Sequence, residues 1–175
     1  MPTIYIITGP PGSGKSSLCA ELIRRFERGA VVPIDDIRQW VKSGLADAVP
    51  WTDETENQFQ VAEHIAMDTA VRYVEAGFTV CLDHCRNLPR WNQLIETHLA
   101  SQKVIRVCLL PRLEINQRRN RERKNKDFPP EILTETIDFT HQQFTSTSHH
   151  RWLVLDNSQL DVVQTVERIL SHPSS

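Results

Sequence analysis

Gly9-Pro10-Pro11-Gly12-Ser13-Gly14-Lys15-Ser16 fits the pattern G-x-x-x-x-G-K-[ST], a loop whose backbone N–H groups cradle phosphate. Its flanks give the pattern structural meaning. Thr3 to Thr8 (Thr-Ile-Tyr-Ile-Ile-Thr) is β-branched and aromatic, which predicts a buried strand. From Ser17 to Arg28, Leu18, Leu22 and Phe26 recur every four residues, which predicts a helix. The glycine-rich run thus lies between a strand and a helix N-terminus, where the helix dipole and unpaired N–H groups attract an anion. Its glycines tolerate the backbone conformations that bring N–H groups close to phosphate. The pattern assigns Gly9 through Ser17 to a nucleoside triphosphate, including Pro10, Pro11 and Ser13 between the glycines. Within it, Lys15 reaches the β- and γ-phosphates and Ser16 holds Mg²⁺.

Working outward, the chain alternates strand-like and helix-like stretches. Ala30 to Ile34 is a short apolar run that closes on Asp35-Asp36, and a short helix or turn is expected from Asp36 to Val41. Residues 43–52 read as a loop. Thr52 is a suitable N-cap, with Asp53 and Glu54 in the first turn, for a helix that keeps its spacing through Phe59, Ala62, Ala66, Ala70 and Tyr73 to Gly77. Phe78 to Asp83 is a third strand, Leu88 to Ala100 a helix, and Val104 to Leu110 a fourth strand. Arg112 to Lys126 is helical by propensity, Pro130 is placed to open a helix running to about Phe144, and Trp152 to Leu155 is a fifth strand. Ser158-x-x-Asp161 reads as a capping box for the last helix.

Such alternation predicts a parallel sheet covered on both faces, with all strand C-terminal ends on one edge, where α/β proteins bind ligands. The phosphate loop, Asp35-Asp36 and Asp83 each follow a strand directly, so all three are expected at that edge.

The chain's 175 residues suit one domain with a real core, taken as residues 1–175. The net charge of −2 excludes a globally basic nucleic-acid surface. No apolar run approaches a membrane span, and residues 1–8 lack the basic flank of a signal peptide. The cysteines Cys19, Cys81, Cys85 and Cys108 are not paired as zinc ligands, and Cys81, His84 and Cys85 lack a fourth ligand, so no zinc is expected. A reduced, cytoplasmic setting is the expectation.

Phosphoryl transfer needs Mg²⁺, positive charge around the transferring group and an oriented acceptor. Asp35 or Asp36 can take a proton from an acceptor hydroxyl; Asp35, nearer the strand end, is preferred. Arg38, three residues on, shares a side of that turn and can grip an anionic acceptor. Asp83 can hold a Mg²⁺-bound water or the acceptor, and Arg86 and Arg90 follow in the next loop. Seven of the chain's 20 Lys and Arg residues fall between Arg112 and Lys126, offset by only Glu114 and Glu122. Such a segment repels itself unless an anion joins it, which suits a lid, taken as residues 112–129, that closes over phosphates. Arg119 and Arg123, four apart, point the same way. Trp40, Trp51 and Trp91 flank the acceptor side, with packing the expected role of at least two.

On these residues the chain resembles the small P-loop kinases of the adenylate-kinase-like group. Within them it is most similar to the kinase domain of polynucleotide kinase and to zeta-toxin-like and chloramphenicol phosphotransferase-like proteins. The resemblance rests on Gly9 to Ser16, Asp35-Asp36-Ile37-Arg38, Asp83, Arg119-Asn120-Arg121-Glu122-Arg123 with Pro130 to Leu133, and Val154-Leu155-Asp156-Asn157-Ser158. It implies a three-layer α/β/α P-loop NTPase fold with a five-stranded parallel sheet of order 2-3-1-4-5 and an Arg-rich helical lid. It further implies Mg-ATP as donor, Asp35 as general base and Arg38 on the acceptor. Arg119 and Arg123 would lie on the transferring phosphates, and Asn157 near the adenine. Where the family often has Asp-x-Asn, this chain has Asp83-His84-Cys85.

The function so implied is an ATP-dependent kinase acting on a hydroxyl. A polynucleotide 5′-hydroxyl competes as acceptor with a small-molecule hydroxyl (sugar, nucleoside or antibiotic), and Asp35, Arg38, Asp83 and Arg86 are the acceptor-side candidates. A nucleotide-binding regulatory module without transfer is the rival class.

Overall fold

The computed structural model describes residues 1–122 and 129–172. Five strands, β1 (Ile4–Thr8), β2 (Gly29–Pro33), β3 (Thr79–Asp83), β4 (Val104–Leu109) and β5 (Leu153–Leu155), form one sheet of order β2-β3-β1-β4-β5. Every pairing in it is parallel. The helices are α1 (Lys15–Ile23), α2 (Ile34–Arg38), α3 (Asp53–Glu75), α4 (Leu88–His98), α5 (Leu113–Glu122), α6 (Thr134–Ser146) and α7 (Val162–Ser171).

The strand period of two explains why both faces need a cover. Ile4 and Ile6 of β1, with Val80 and Leu82 of β3, join a core with Ala66, Met67, Trp91 and Phe144 from α3, α4 and α6. Tyr5 and Ile7, with Cys81, join a second core with Leu18, Leu22, Val166 and Ile169 from α1 and α7. A run of buried residues in β1 and β3 follows from having helices on both sides.

Register fixes the functional edge. Pro33 pairs with Asp83, and Asp83 with Ile7. Asp35 and Gly9 therefore each lie two residues beyond one common level of the sheet. Val107 pairs with both Ile7 and Leu153, which brings the chain after β5 to the same edge.

Some boundaries differ from the sequence reading. Helix α1 stops at Ile23, not Arg28, and Phe26 turns back to pack its ring 5.7 Å from that of Tyr5. The early stop brings Gly29 against Ile23, where a Cβ would lie 2.4 Å from Cγ2. Pro130 opens a 3₁₀ turn, Pro130–Leu133, and the α-helix begins only at Thr134. Ser158 does not cap α7; Asp161 does, in a reciprocal capping box with Gln164. Ser158 Oγ instead accepts the Arg112 N–H at 2.8 Å. Thr52 caps α3 as its sequence predicts, through the Thr55 N–H. No described helix is long and apolar enough to cross a membrane.

Candidate active site

The phosphate loop is built by close backbone approach. Gly9 has φ +140°, and a Cβ there would lie 2.2 Å from the Leu109 carbonyl oxygen. Gly12 has φ +80°, and its Cβ would lie 2.8 Å from the Asn116 carbonyl oxygen. Both positions are therefore closed to side chains on steric as well as torsional grounds. Two buried asparagines brace the loop from outside. Asn116 Nδ2 donates to the Pro11 carbonyl at 2.6 Å, and Asn157 Nδ2 to the Ser13 carbonyl at 3.0 Å. Helix α1 begins after Gly14 with no side-chain cap, which leaves its first N–H groups to a ligand. Lys15 Nζ folds over the loop, donating to the carbonyls of Gly9 and Pro10 at 3.1 and 3.3 Å.

Asp83 ends β3 beside this loop. Burial raises its carboxyl above the ordinary value, against the opposing pull of the Lys15 ammonium and the Ser16 hydroxyl. Arg119, on α5, donates from Nη2 to the Asn157 carbonyl at 2.9 Å. These residues fit a triphosphate with its cation: a glycine cradle that a Cβ would fill, an uncapped helix, a lysine, and a hydroxyl-carboxylate pair in Ser16 and Asp83. Lys15, Ser16, Asp83, Arg119 and Asp35 all line one cavity of about 1060 Å³. That volume is generous for a single ligand.

Asp35 adjoins a cluster of buried ion pairs. Asp35 and Asp36 sit in the first turn of α2, and the Asp35 side chain is 53% exposed. His84, buried just past β3, has Nδ1 3.2 Å from Asp35 Oδ1 and Nε2 3.5 Å from Glu63 Oε1. Glu63 is fully buried on α3. It accepts from Arg86 Nε at 2.6 Å and from Arg90 Nε and Nη2 at 2.8 and 2.7 Å. Arg86 also forks onto Glu56, with Nη1 donating to Oε2 at 3.0 Å and Nη2 to Oε1. Glu56 and Glu63 thus face the two guanidiniums, and His84 links Glu63 to Asp35. Burial alone would lower the His84 pKa, but Asp35 and Glu63 outweigh it and raise it above the ordinary imidazole value.

The candidate residues find varied positions. Arg38 is buried, with Nη1 donating to the Ala46 carbonyl at 2.8 Å and Cζ 4.6 Å from the Phe59 ring centroid. Arg86 lines the cavity but is held by Glu56 and Glu63. Trp51 lines the cavity, stacked on Phe59 with centroids 5.0 Å apart and rings 5° from parallel. Trp91 is wholly buried in the core, and Trp40 is a surface residue. Arg123, Lys124 and Lys126 lie outside the described residues, as does much of the stretch read as a lid.

Sequence reading missed Glu56, Glu63 and Asn116, and weighed His84 only as a zinc ligand and as a departure from the family pattern. Glu56, Phe59 and Glu63 share one face of α3, beside Ala62 and Ala66 on its buried side. That placement was the available signal that these two acids look inward. Asn116 carried none, because its partner is a backbone carbonyl 105 residues away.

A family model described as an AAA domain matches residues 4–147. The chain belongs to this AAA domain family. Among solved structures, this AAA domain is similar to the Deinococcus radiodurans tunicamycin resistance protein. The TM-score is 0.70 at 17% identity, covering 98% of this chain and 95% of that one. It is similar to a sugar kinase from Janibacter sp. HTCC2649, with a TM-score of 0.67 at 18% identity, covering 98% and 94%. It also matches a chain of the Pnkp1/Rnl/Hen1 RNA repair complex, with a TM-score of 0.62 at 19% identity, covering 82% of this chain and 44% of that one. At these identities what is shared is the fold, a kinase-like P-loop domain. No curated protein sequence matches this AAA domain.

Proposed function

We propose that this protein transfers the γ-phosphoryl group of ATP to an acceptor hydroxyl. The observation that carries the reading is the cavity in which the Asp35 carboxylate meets Lys15, Ser16 and Asp83. Asp35 takes the proton of the acceptor hydroxyl as its oxygen bonds to the γ-phosphorus. The bond from that phosphorus to the β,γ-bridging oxygen breaks, and ADP leaves. Mg²⁺, when bound, neutralises charge on the phosphate oxygens, and Ser16 and Asp83 are the residues that would hold it. Lys15 and the N–H groups at the start of α1 hold the donor phosphates in place. Arg119 faces the same cavity from α5 and supplies positive charge there. His84 holds Asp35 toward the acceptor as a positioning residue, and Glu63 holds His84.

Transfer of labelled phosphate from ATP to a panel of alcohols tests the reading. Asp35→Asn is expected to lower kcat by roughly 10²- to 10⁴-fold, the usual worth of a positioned general base. Affinity for a non-hydrolysable ATP analogue should stay within a factor of about two, since Asp35 makes no contact that is equal in the ground and transition states of the donor. If no alcohol stimulates ADP formation and Asp35→Asn changes nothing, the reading fails.

A further inference from the structure

Of the two guanidiniums lining the Asp35 end of the cavity, Arg86 is paired with protein carboxylates, and Arg38 is buried with its Nε unpartnered among the described residues. Arg38 is buried, donates to the Ala46 carbonyl at 2.8 Å and lies over the Phe59 ring. Arg86 gives Nε to Glu63 and forks both terminal nitrogens onto Glu56. An acceptor phosphate or carboxylate seeking Arg86 must compete with these contacts. For Arg86 that means opening a largely buried ion pair, which is costly to break from one side. The exposed charge here is negative: Asp36 is exposed and Asp35 half-exposed, and both line the cavity. Beside them is apolar surface, with Val49 and Trp51 exposed at 42% and 49%. Trp51 is backed by Phe59, and the Arg86 guanidinium lies 5.2 Å from its ring centroid. The indole is therefore held in place, which favours its use as a contact surface over a loosely packed one.

We infer that the acceptor is an uncharged or cationic small-molecule alcohol with an apolar ring face, and neither a polynucleotide end nor a sugar acid. Like-charge placement against the exposed Asp36 rejects an anion, and the Trp51 wall takes the ring. A positively charged amine on the acceptor finds Asp36 as its counter-ion. The inference rests on the kinase reading above, but it makes its own claim about charge.

Matched probes separate the two. Each pair offers the same hydroxyl with and without an anion: a nucleoside and its 3′-monophosphate, and a hexose and its aldonate. An aminated sugar alcohol and a 5′-hydroxyl oligonucleotide complete the set. Labelled phosphate transfer from ATP is measured together with equilibrium binding, read by tryptophan fluorescence in the presence of a non-hydrolysable ATP analogue. The expected result is binding and transfer at least about tenfold better for neutral or aminated probes than for their anionic partners, as like-charge rejection predicts. For the best of them, Trp51→Ala should raise KM about tenfold with kcat within about twofold, the signature of lost uniform binding. Trp51→Phe should recover most of the affinity. Equal or better transfer to the oligonucleotide or the anionic partners overturns the inference and leaves the kinase reading standing. Charge-selective binding without transfer overturns the kinase reading and leaves the inference standing. No binding by any neutral or aminated probe overturns the inference.

Discussion

Glu63→Gln tests the cluster that holds the acceptor side together. The substitution keeps the volume and removes the charge. In the wild type the carboxylate is fully buried, accepts three N–H donors from Arg86 and Arg90 at 2.6 to 2.8 Å, and faces His84. A glutamine amide accepts through one oxygen only, and its NH₂ would point at a guanidinium. Burial pushes the Glu63 carboxyl up, but His84, Arg86 and Arg90 outweigh it and hold it at about 2 against an ordinary 4.5. That depression is worth about 3 kcal/mol at neutral pH. It agrees with the ~3–5 kcal/mol general cost of breaking a buried ion pair from one side. For a chain of this size each kcal/mol lowers Tm by about 2–4 °C, so a fall of roughly 10 °C is expected. Thermal unfolding followed by circular dichroism at pH 7 and pH 3 is the assay. The sign follows from the direction of the shift. A depressed carboxylate contributes its full stability above the ordinary value and loses it as pH falls toward the folded value. The gap between wild type and variant should therefore shrink to roughly half at pH 3. A Tm change under about 2 °C at pH 7, or a gap as wide at pH 3 as at pH 7, refutes the reasoning.

Other expectations follow from single contacts. Gly12→Ala places a Cβ 2.8 Å from the Asn116 carbonyl at φ +80°; it should cost about 1–3 kcal/mol by urea denaturation and abolish binding of an ATP analogue by calorimetry. Asn116→Ala removes the donor to the Pro11 carbonyl and should cost about 1–2 kcal/mol, with weakened nucleotide binding on the same instrument. The His84 pKa is raised, through Asp35 and Glu63 prevailing over burial, so its contribution to stability is complete below the ordinary imidazole value and is lost as pH rises through the folded one. His84→Gln should therefore remove the part of the stability decline that wild type shows above about pH 6.5, measured by urea unfolding across pH 6 to 9.

The fold was legible because its signals are local and repeat along the chain. β1, the glycine loop and α1 lie within twenty residues, and apolar runs ending in Asp35 and Asp83 mark where strands meet the binding edge. Parallel pairing then brings those ends together whatever the details of the helices. Boundaries were less legible where tertiary contacts decide them, as where α1 stops at Ile23 and Gly29 packs against that residue. The residues proposed for the donor half follow a fixed local spacing for a related reason: backbone amides, one lysine and one hydroxyl in the glycine loop nearly suffice to define it.

The acceptor half follows a different logic, and this is why sequence reading placed its residues but not their roles. Arg86 looks like an anion grip when only spacing is seen. Whether a guanidinium is available depends on which carboxylates face it, and Glu56 and Glu63 come from α3, more than twenty residues from Arg86. The same acids that neutralise Arg86 and Arg90 also fix His84, and His84 faces Asp35. Under the proposed function, one buried network therefore bears on two properties of the site, the set of the base and the sign of charge left for the acceptor. In the proposed kinase these properties are coupled. Removing the Glu63 charge would release Arg90 and the Nε of Arg86, which stays forked onto Glu56, while loosening His84, so Glu63→Gln should slow transfer to a neutral acceptor and, in the same protein, improve binding of its anionic partner. Independent roles for base and cations predict a change in one without the other, and the matched nucleoside pair distinguishes the two cases.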